Sequence, residues 1–544
     1  MKAYIKSLAY NLPEKILDNE QVAAMFPEWT VEKIEKKIGI KERHITADGE
    51  TASDLAVGAA EKLFAANNID RETIDYLIFV TQSPDYHLPT TACLIQTRLG
   101  LSKKITAIDV NLGCSGFVTG LSLAKAVVVS GQAKNVLLLT AETYSKYMHE
   151  RDKSNRTIFG DGSAATLVST EGMAEIGEFV IGTDGTGAEN LIVKSGGARN
   201  PKPLNDLVFD EFGNPRSSDN LYMDGPAILN YSLESIPQLF NDVLEKNGLT
   251  KDDIDLHVYH QANIFLANLE RRKLKIDKEK YYCNIEHVGN TVSSTIPIGL
   301  CLALEDGSLK PGMKVLSVAQ GLGYTWGGMV LYFKKMLKIK RFVNELMTSN
   351  CYVVYDEDTK RCLVIDPGSE KSLREIEFIE KNNLTLDYII ITHEHTDHNW
   401  GVNTLREHFE NSKLLCSEEC SKHVKKANRA YFLLYYDDPN YRYEIAPADK
   451  FVSDGECMEW SGHQIKFIFT PGHSYGSVCI DIDGRLFTGD TIMPYKPYFN
   501  GRDSNQDDWD ISIRRIKDAY SPNTVIFPGH GDELTLSEWA ETKY

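Results

Sequence analysis

A chain of 544 residues has room for three or four globular lobes at ~150 residues each. Its 59 basic and 77 acidic residues give a net charge of −18, which argues against a nucleic-acid binder, because phosphate contacts need clustered positive charge. The 42% hydrophobic and 25% charged residues exclude intrinsic disorder.

The longest apolar stretches, such as Ala126–Val129 and Val136–Leu139, fall far below the ~20 residues of a membrane span. The first ten residues lack the apolar core of a signal peptide. Ten cysteines with no Cys-x-x-Cys pair read as reduced thiols of a cytoplasmic protein.

Residues 1–335 alternate strand candidates (Tyr76–Val80, Ile105–Val110, Asn135–Thr140) with helical patterns, which predicts α/β layers. A Gly-rich passage before an apolar strand occurs twice, at Ile158–Ala165 and at Ala319–Gly328. The spacing predicts an internal duplication with halves of about 1–170 and 171–335. A second strand-rich domain follows over 336–544, opening with Asn350–Val354 and Cys362–Gly368.

The segment Ala107–Phe117 reads as a strand, a tight turn and a helix running to about Val129. Cys114 then sits at a helix start, where unpaired N–H groups favour the thiolate. A lone cysteine in an apolar stretch is more often core filler, but two partners follow. His260 lies between a strand and a helix in Val258–Asn263, and Asn290 lies in the turn of Gly289–Thr291.

These blocks resemble the β-ketoacyl-acyl-carrier-protein synthase III group of the thiolase fold. The resemblance runs in order through Gln82–Tyr86, Pro89–Gln96, the Cys114 block, Phe159–Ser163, His260–Asn263, Gly289–Thr291 and Thr325–Gly327. It implies a duplicated αβαβα domain and a Cys114, His260, Asn290 triad. Cys114 would accept an acyl group, with its own N–H and the Leu322/Gly323 turn holding the oxyanion. His260 and Asn290 would stabilise the enolate left when a malonyl thioester loses carbon dioxide. Partners would be acyl and malonyl thioesters of coenzyme A or acyl carrier protein, and the assembly a homodimer with Leu88 near the neighbour's acyl pocket. Phe265 stands where the family carries arginine, and Lys33 and Lys37 stand where it carries a tryptophan and an arginine. An acyl transfer to oxygen or nitrogen, without decarboxylation, is the alternative reaction. Arg271, Arg272 and Lys273 read either as a carrier-docking patch or as a solvated helix face.

In the second domain, the strand Leu386–Ile391 runs into Thr392–His398, placing His393, His395, Asp397 and His398 within six residues. Imidazoles and carboxylates in this density are metal ligands. Further candidates follow in Gly-containing turns: His473, Asp490 and His530. This set resembles the metallo-β-lactamase fold, an αββα sandwich, and most closely its glyoxalase-II-like thioester hydrolases. The resemblance spans about 340–535 and includes Ile365–Gly368. It puts His393, His395 and His473 on one divalent metal ion and Asp397, His398 and His530 on another, with Asp490 bridging. Zinc is the expected metal, with iron or manganese as alternatives. The ions would activate water against a carbonyl or phosphoryl centre. The helical domain by which glyoxalase II holds glutathione is missing, and an aromatic insert (Tyr431–Tyr436, Tyr441, Tyr443) stands between ligand groups. It reads equally as an acyl-chain pocket or as a packed surface helix. The combined expectation is a bifunctional enzyme that makes a β-ketoacyl thioester and hydrolyses a thioester. A metal domain with an unrelated substrate, or one serving mainly in assembly, is the alternative.

Overall fold

The computed structural model describes residues 2–542 except 212, 336, 345–346, 358, 436–442, 498, 500–503 and 523; at 322, 426 and 428–435 it describes the backbone alone. The chain divides into two compact units, Met1–Lys334 and Lys335–Tyr544. Among the described residues no helix is long and apolar enough to cross a membrane.

The first unit is built on nine strands: β1 (Tyr4–Asn11), β2 (Tyr76–Val80), β3 (Thr106–Val110), β4 (Asn135–Glu142), β5 (Gly162–Ser169), β6 (Ala174–Thr183), β7 (Leu256–His257), β8 (Lys314–Gly321) and β9 (Thr325–Phe333). Their order is β7-β8-β9-β6-β1-β5-β4-β2-β3. Read outward from the β1/β6 junction, both halves repeat one scheme. β1 pairs antiparallel with β5, β5 antiparallel with β4, and β4 parallel with β2. Likewise β6 pairs antiparallel with β9, β9 antiparallel with β8, and β8 parallel with β7. Even the outermost parallel pair, β2 with β3, has a remnant counterpart in the parallel bridge between His257 and Tyr281. The two Gly-rich passages lead into the equivalent strands β5 and β9, so the predicted duplication is present in the topology.

Six helices cover or separate these strands: α1 (Ala52–Asn67), α2 (Thr91–Arg98), α3 (Gly116–Val129), α4 (Gly225–Lys246), α5 (Ile264–Lys273) and α6 (Thr295–Glu305). Successive strand residues face opposite ways. Leu77 and Phe79 pack outward with α1 and α2, whereas Ile78 and Val80 pack inward with Phe117 and Leu121 of α3. In the second half, Leu316 and Val318 face α4, while Val315 and Leu331 join the core shared with α3 and α6. Helices α3 and α6 therefore form the central layer of an αβαβα arrangement. The apolar run Ile-Pro-Ile-Gly-Leu suits α6, which is buried along nearly its whole length, whereas α3 buries Phe117, Leu121 and Val128 and exposes Leu123 and Val129.

The second unit contains two six-stranded sheets in sequential order. The first runs β10 (Leu337–Val343), β11 (Asn350–Asp356), β12 (Arg361–Ile365), β13 (Thr385–Ile390), β14 (Lys413–Ser417), β15 (Lys450–Val452); the second runs β16 (Cys457–Trp460), β17 (His463–Phe469), β18 (Val478–Ile482), β19 (Arg485–Gly489), β20 (Val525–Pro528), β21 (Leu534–Thr535). Tyr352, Val354, Leu363 and Ile365 of one sheet pack against Ile465, Phe467, Ile480 and Phe487 of the other. The alternate residues Val353 and Val364 face outward to α7 (Leu373–Lys381), and Cys479 and Leu486 face outward to α8 (Gln506–Ala519). The unit is thus an αββα sandwich.

Candidate functional sites

Cys114 follows β3 and precedes α3, 7% exposed at the wall of a largely apolar cavity. His260 and Asn290, which are 146 and 176 positions further along the chain, line the same cavity. His260 is placed by its backbone N–H, which donates to the Val318 carbonyl at 2.9 Å, and by Thr295, whose Oγ1 lies 2.7 Å from Nδ1. Burial pushes the His260 imidazole down to about 4, so the ring is neutral at physiological pH. Asn290 is fixed from both ends. Its N–H donates to Ile158 and its carbonyl accepts from Gly160. Its Oδ1 accepts the Val292 N–H at 2.9 Å, which leaves the amide NH₂ for a ligand. Val292 makes that bond at φ +57°, a left-handed conformation that a β-branched residue adopts at a cost of about 1–3 kcal/mol.

The expectation of a resting thiolate at Cys114 needs correction. Burial pushes the thiol up to about 12, and the Glu142 charge works in the same direction. Low polarisability of the surroundings outweighs the helix start, so the thiol proton must be removed as substrate engages. Glu142 is fully buried and accepts from the Gln82 N–H and from the Ser83 and Ser293 hydroxyls. Sequence reasoning passed over it, since a glutamate ending a strand carries no motif. Gly321, visible in the sequence only as part of the Gly-rich passage Ala319–Gly328, also belongs to the cavity wall. A Cβ there would lie 3.1 Å from the Ser115 nitrogen and 3.3 Å from Cys114 Cβ, so the turn before Leu322 and Gly323 packs directly on the cysteine.

Trp29 lies beside both aligned lysines, with Lys33 Nζ 5.1 Å and Lys37 Nζ 5.9 Å from its ring centre. An open groove at this place is lined by Thr30, Lys33, Lys37 and the exposed Phe265. In α5, Arg272 and Lys273 are exposed, whereas Arg271 is half-buried and donates to the Ile276 carbonyl.

In the second unit each candidate ligand leaves the end of a strand. His393 to His398 follow β13, His473 follows β17, Asp490 follows β19 and His530 follows β20. Ligand atoms of His393, His395, His473 and Asp490 converge within 4.8 Å of one another, as do those of Asp397, His398 and His530. Asp490 faces both groups, with Oδ2 3.4 Å from His473 Nε2 and Oδ1 3.4 Å from His398 Nε2. Gly529 makes room for this, since a Cβ there would meet Asp490 Oδ1 at 2.2 Å. His398 Nε2 and Asp490 Oδ1 are buried without a hydrogen-bond partner among the described residues. Lone pairs buried together in this way are satisfied by cations, and the nitrogen/oxygen donor set fits divalent ions. Asp366, quoted in the sequence only as part of Ile365–Gly368, holds the cage from outside. It accepts from Thr392 and lies 2.9 Å from His398 Nδ1, leaving Nε2 for a metal. Of the aromatic insert, Tyr436 and Tyr441 lie outside the described residues and Tyr431 to Tyr435 are described by backbone alone. Tyr443 donates to the Asn399 carbonyl at 2.7 Å.

The first unit is a thiolase-type scaffold around a Cys-His-Asn cavity, and the second is a two-sheet sandwich around a His/Asp cage. Comparison with known proteins agrees. The 3-oxoacyl-[acyl-carrier-protein] synthase III family matches residues 108–185, its C-terminal family matches 244–333, and the metallo-beta-lactamase superfamily matches 345–530. The beta-ketoacyl-[acyl-carrier-protein] synthase III of Nitratidesulfovibrio vulgaris is 36% identical over 326 residues, 59% of this chain and 96% of the relative. That of Campylobacter curvus is 36% identical over 337 residues, 61% and 97%. A crystal structure of 3-oxoacyl-(acyl-carrier-protein) synthase III, 48% identical, superposes with a TM-score of 0.60 over 61% of this chain and 100% of that one. The Burkholderia xenovorans synthase, 34% identical, gives 0.56 over 61% and 95%. The chain belongs to the β-ketoacyl-acyl-carrier-protein synthase III family, and it carries a metallo-β-lactamase-superfamily domain on the same polypeptide.

Proposed function

We propose that the first unit condenses an acyl group on Cys114 with a malonyl thioester and that the second hydrolyses a thioester, the β-ketoacyl product being its substrate. The observation that carries the first step is the convergence of Cys114, His260 and Asn290 on one cavity. Neutral His260 takes the Cys114 proton as sulfur attacks the acyl thioester, and passes it to the departing carrier thiol. The N–H of Cys114 and the Leu322/Gly323 turn hold the oxyanion. A malonyl thioester then binds with its carbonyl against His260 and the Asn290 NH₂. Carbon dioxide leaves, the enolate carbon attacks the acyl-cysteine to form the carbon–carbon bond, and Cys114 departs as a thiolate that takes up one proton from solvent to restore the thiol. Coenzyme A and acyl carrier protein are both candidate carriers, and release of carbon dioxide distinguishes this reaction from simple acyl transfer.

In the second unit His393, His395, His473, Asp397, His398, His530 and Asp490 would hold two divalent metal ions, with zinc the first candidate. Bound there, the ions supply an activated water and a polarised carbonyl. The exposed Leu88 and Tyr86 of the first unit support a homodimer, in which such an apolar loop is covered by the second copy. Light scattering at micromolar concentration should report twice the chain mass.

The coupling is tested by incubating acyl and malonyl thioesters with the wild type and with Asp490→Ala, and assaying free β-keto acid. The wild type should release acid and the variant should accumulate the thioester. Equal acid release by both proteins would sink the coupling.

A further inference from the structure

The cavity around Cys114 carries a polar cluster that the condensation scheme does not use. Ser232 from α4, Glu270 from α5 and Gln320 from β8 meet on its wall. Ser232 is 4% and Glu270 5% exposed. Ser232 Oγ lies 2.6 Å from Glu270 Oε1 and also 2.6 Å from Gln320 Oε1. A hydroxyl has one proton, so it donates to only one of these oxygens.

The neighbouring bonds resolve the other contact. The Ser235 hydroxyl donates to the Tyr231 carbonyl at 2.6 Å, and so accepts from Gln320 Nε2 at 2.5 Å. In this arrangement the Gln320 amide has its oxygen toward Ser232, where it needs a donor. With the amide so oriented, both short contacts are hydrogen bonds when Glu270 itself carries a proton. The chain then runs from the Glu270 acid to Ser232, to Gln320, to Ser235 and to the Tyr231 carbonyl. Burial pushes the Glu270 carboxyl up to about 7, in the direction this chain requires. The other carboxyl oxygen, Oε2, has no hydrogen-bond partner among the described residues and is left as an acceptor.

This acceptor decides what fits. The rest of the wall includes Phe159, Leu191, Ile228 and Leu266. A plain hydrocarbon chain would strip water from Glu270 and return no bond. An amine would take the Glu270 proton, becoming an ammonium ion, and leave Ser232 between two acceptors. A neutral donor satisfies Oε2 and leaves the chain intact. The cluster and Cys114 line the same cavity. We propose that Ser232, Glu270 and Gln320 form a specificity site for an acyl group bearing a hydroxyl or an amide N–H. The proposal rests on acylation at Cys114 and names the class of acyl group that the site selects.

The test uses the full-length protein and pairs of coenzyme A esters, β- and ω-hydroxyacyl against their deoxy counterparts of equal length. Intact-protein mass spectrometry follows the rate of adduct formation at Cys114. At least one hydroxyacyl ester should acylate on the order of tenfold faster than its counterpart, the value of about one hydrogen bond. That ratio should fall toward one in Ser232→Ala and in Gln320→Leu, and wild-type selectivity stands as evidence even where a variant folds poorly. Acylation without preference for any hydroxyacyl ester overturns the proposal while leaving the condensation reading intact. So does a slowing of both partners of a pair by the same factor, which would assign the cluster to the carrier arm. No adduct from any ester would instead defeat the condensation reading.

Discussion

Thr295 Oγ1 lies 2.7 Å from Nδ1 of His260 and 3.2 Å from the Val292 carbonyl oxygen. Donating to Val292, the hydroxyl accepts from Nδ1–H and leaves His260 Nε2 as a base. Donating to Nδ1, it leaves the proton on Nε2, where it bonds a thioester carbonyl. One side chain thus serves both tautomers that the two half-reactions need. Thr295→Val should lower kcat for condensation about tenfold or more, and Thr295→Ser should retain most of it. Steady-state rates with a single primer decide the matter, and an unchanged kcat in Thr295→Val would remove the hydroxyl from the scheme.

The depressed His260 also fixes the sign of a pH effect. Unfolded, a histidine takes a proton near pH 6.5, whereas burial holds His260 neutral down to about 4. Between these values the unfolded state binds more protons, so this group's contribution to stability is lost as pH falls from 6.5 toward 4. His260→Gln should therefore lose less stability than the wild type between pH 7 and pH 5. Paired urea midpoints at the two pH values measure the difference, and parallel losses would show that His260 titrates normally.

Glu142 gives a second electrostatic prediction. Burial pushes its carboxyl up to about 8, so it is neutral at pH 6.5 and charged at pH 9. Only the charged form raises the Cys114 thiol. Glu142→Gln should leave iodoacetamide alkylation of Cys114 unchanged at pH 6.5 and speed it several-fold at pH 9. Equal rates at pH 9 would mean that the Cys114 thiol is held up by burial alone.

Much of this was legible in the chain, for a physical reason. Strands Tyr76–Val80 and Asn350–Asp356 announce themselves by apolar runs, and the His/Asp density of 393–398 has no packing explanation. The repeated Gly-rich passages anticipated β5 and β9 as equivalent strands. The state of Cys114 was not legible, because local sequence reports the helix start but not the burial that outweighs it. Nor was the Ser232–Glu270–Gln320 cluster, whose members come from three elements and share no spacing. Asp366 was visible as a motif residue, but its bond to His398 depends on two strand ends meeting.

That bond carries the next prediction. Asp366 fixes the His398 ring through Nδ1 and leaves Nε2 facing the ligand cage. Asp366→Asn keeps the size and loses the charge. Metal content after dialysis against a weak chelator should fall, with affinity reduced about 10- to 100-fold. Retention of full metal by the variant would make Asp366 a structural residue only.

The last prediction concerns the independence of the two sites. Cys114, His260 and Asn290 all belong to the unit Met1–Lys334, and every candidate ligand from His393 to His530 belongs to Lys335–Tyr544. No side chain is shared between the two sets. Cys114→Ala removes the nucleophile that carries the acyl group in the proposed scheme, so condensation should vanish while hydrolysis of an added β-ketoacyl thioester stays near wild type. His395→Ala should do the reverse. His395 Nδ1 lies 3.1 Å from His393 Nε2 and 3.0 Å from His473 Nε2, so losing it opens one group of ligands while leaving the cavity at Cys114 untouched. Acyl-Cys114 should still form in that variant at the wild-type rate. Its absence by mass spectrometry, in a protein of normal thermal stability, would mean that the two sites are coupled in catalysis.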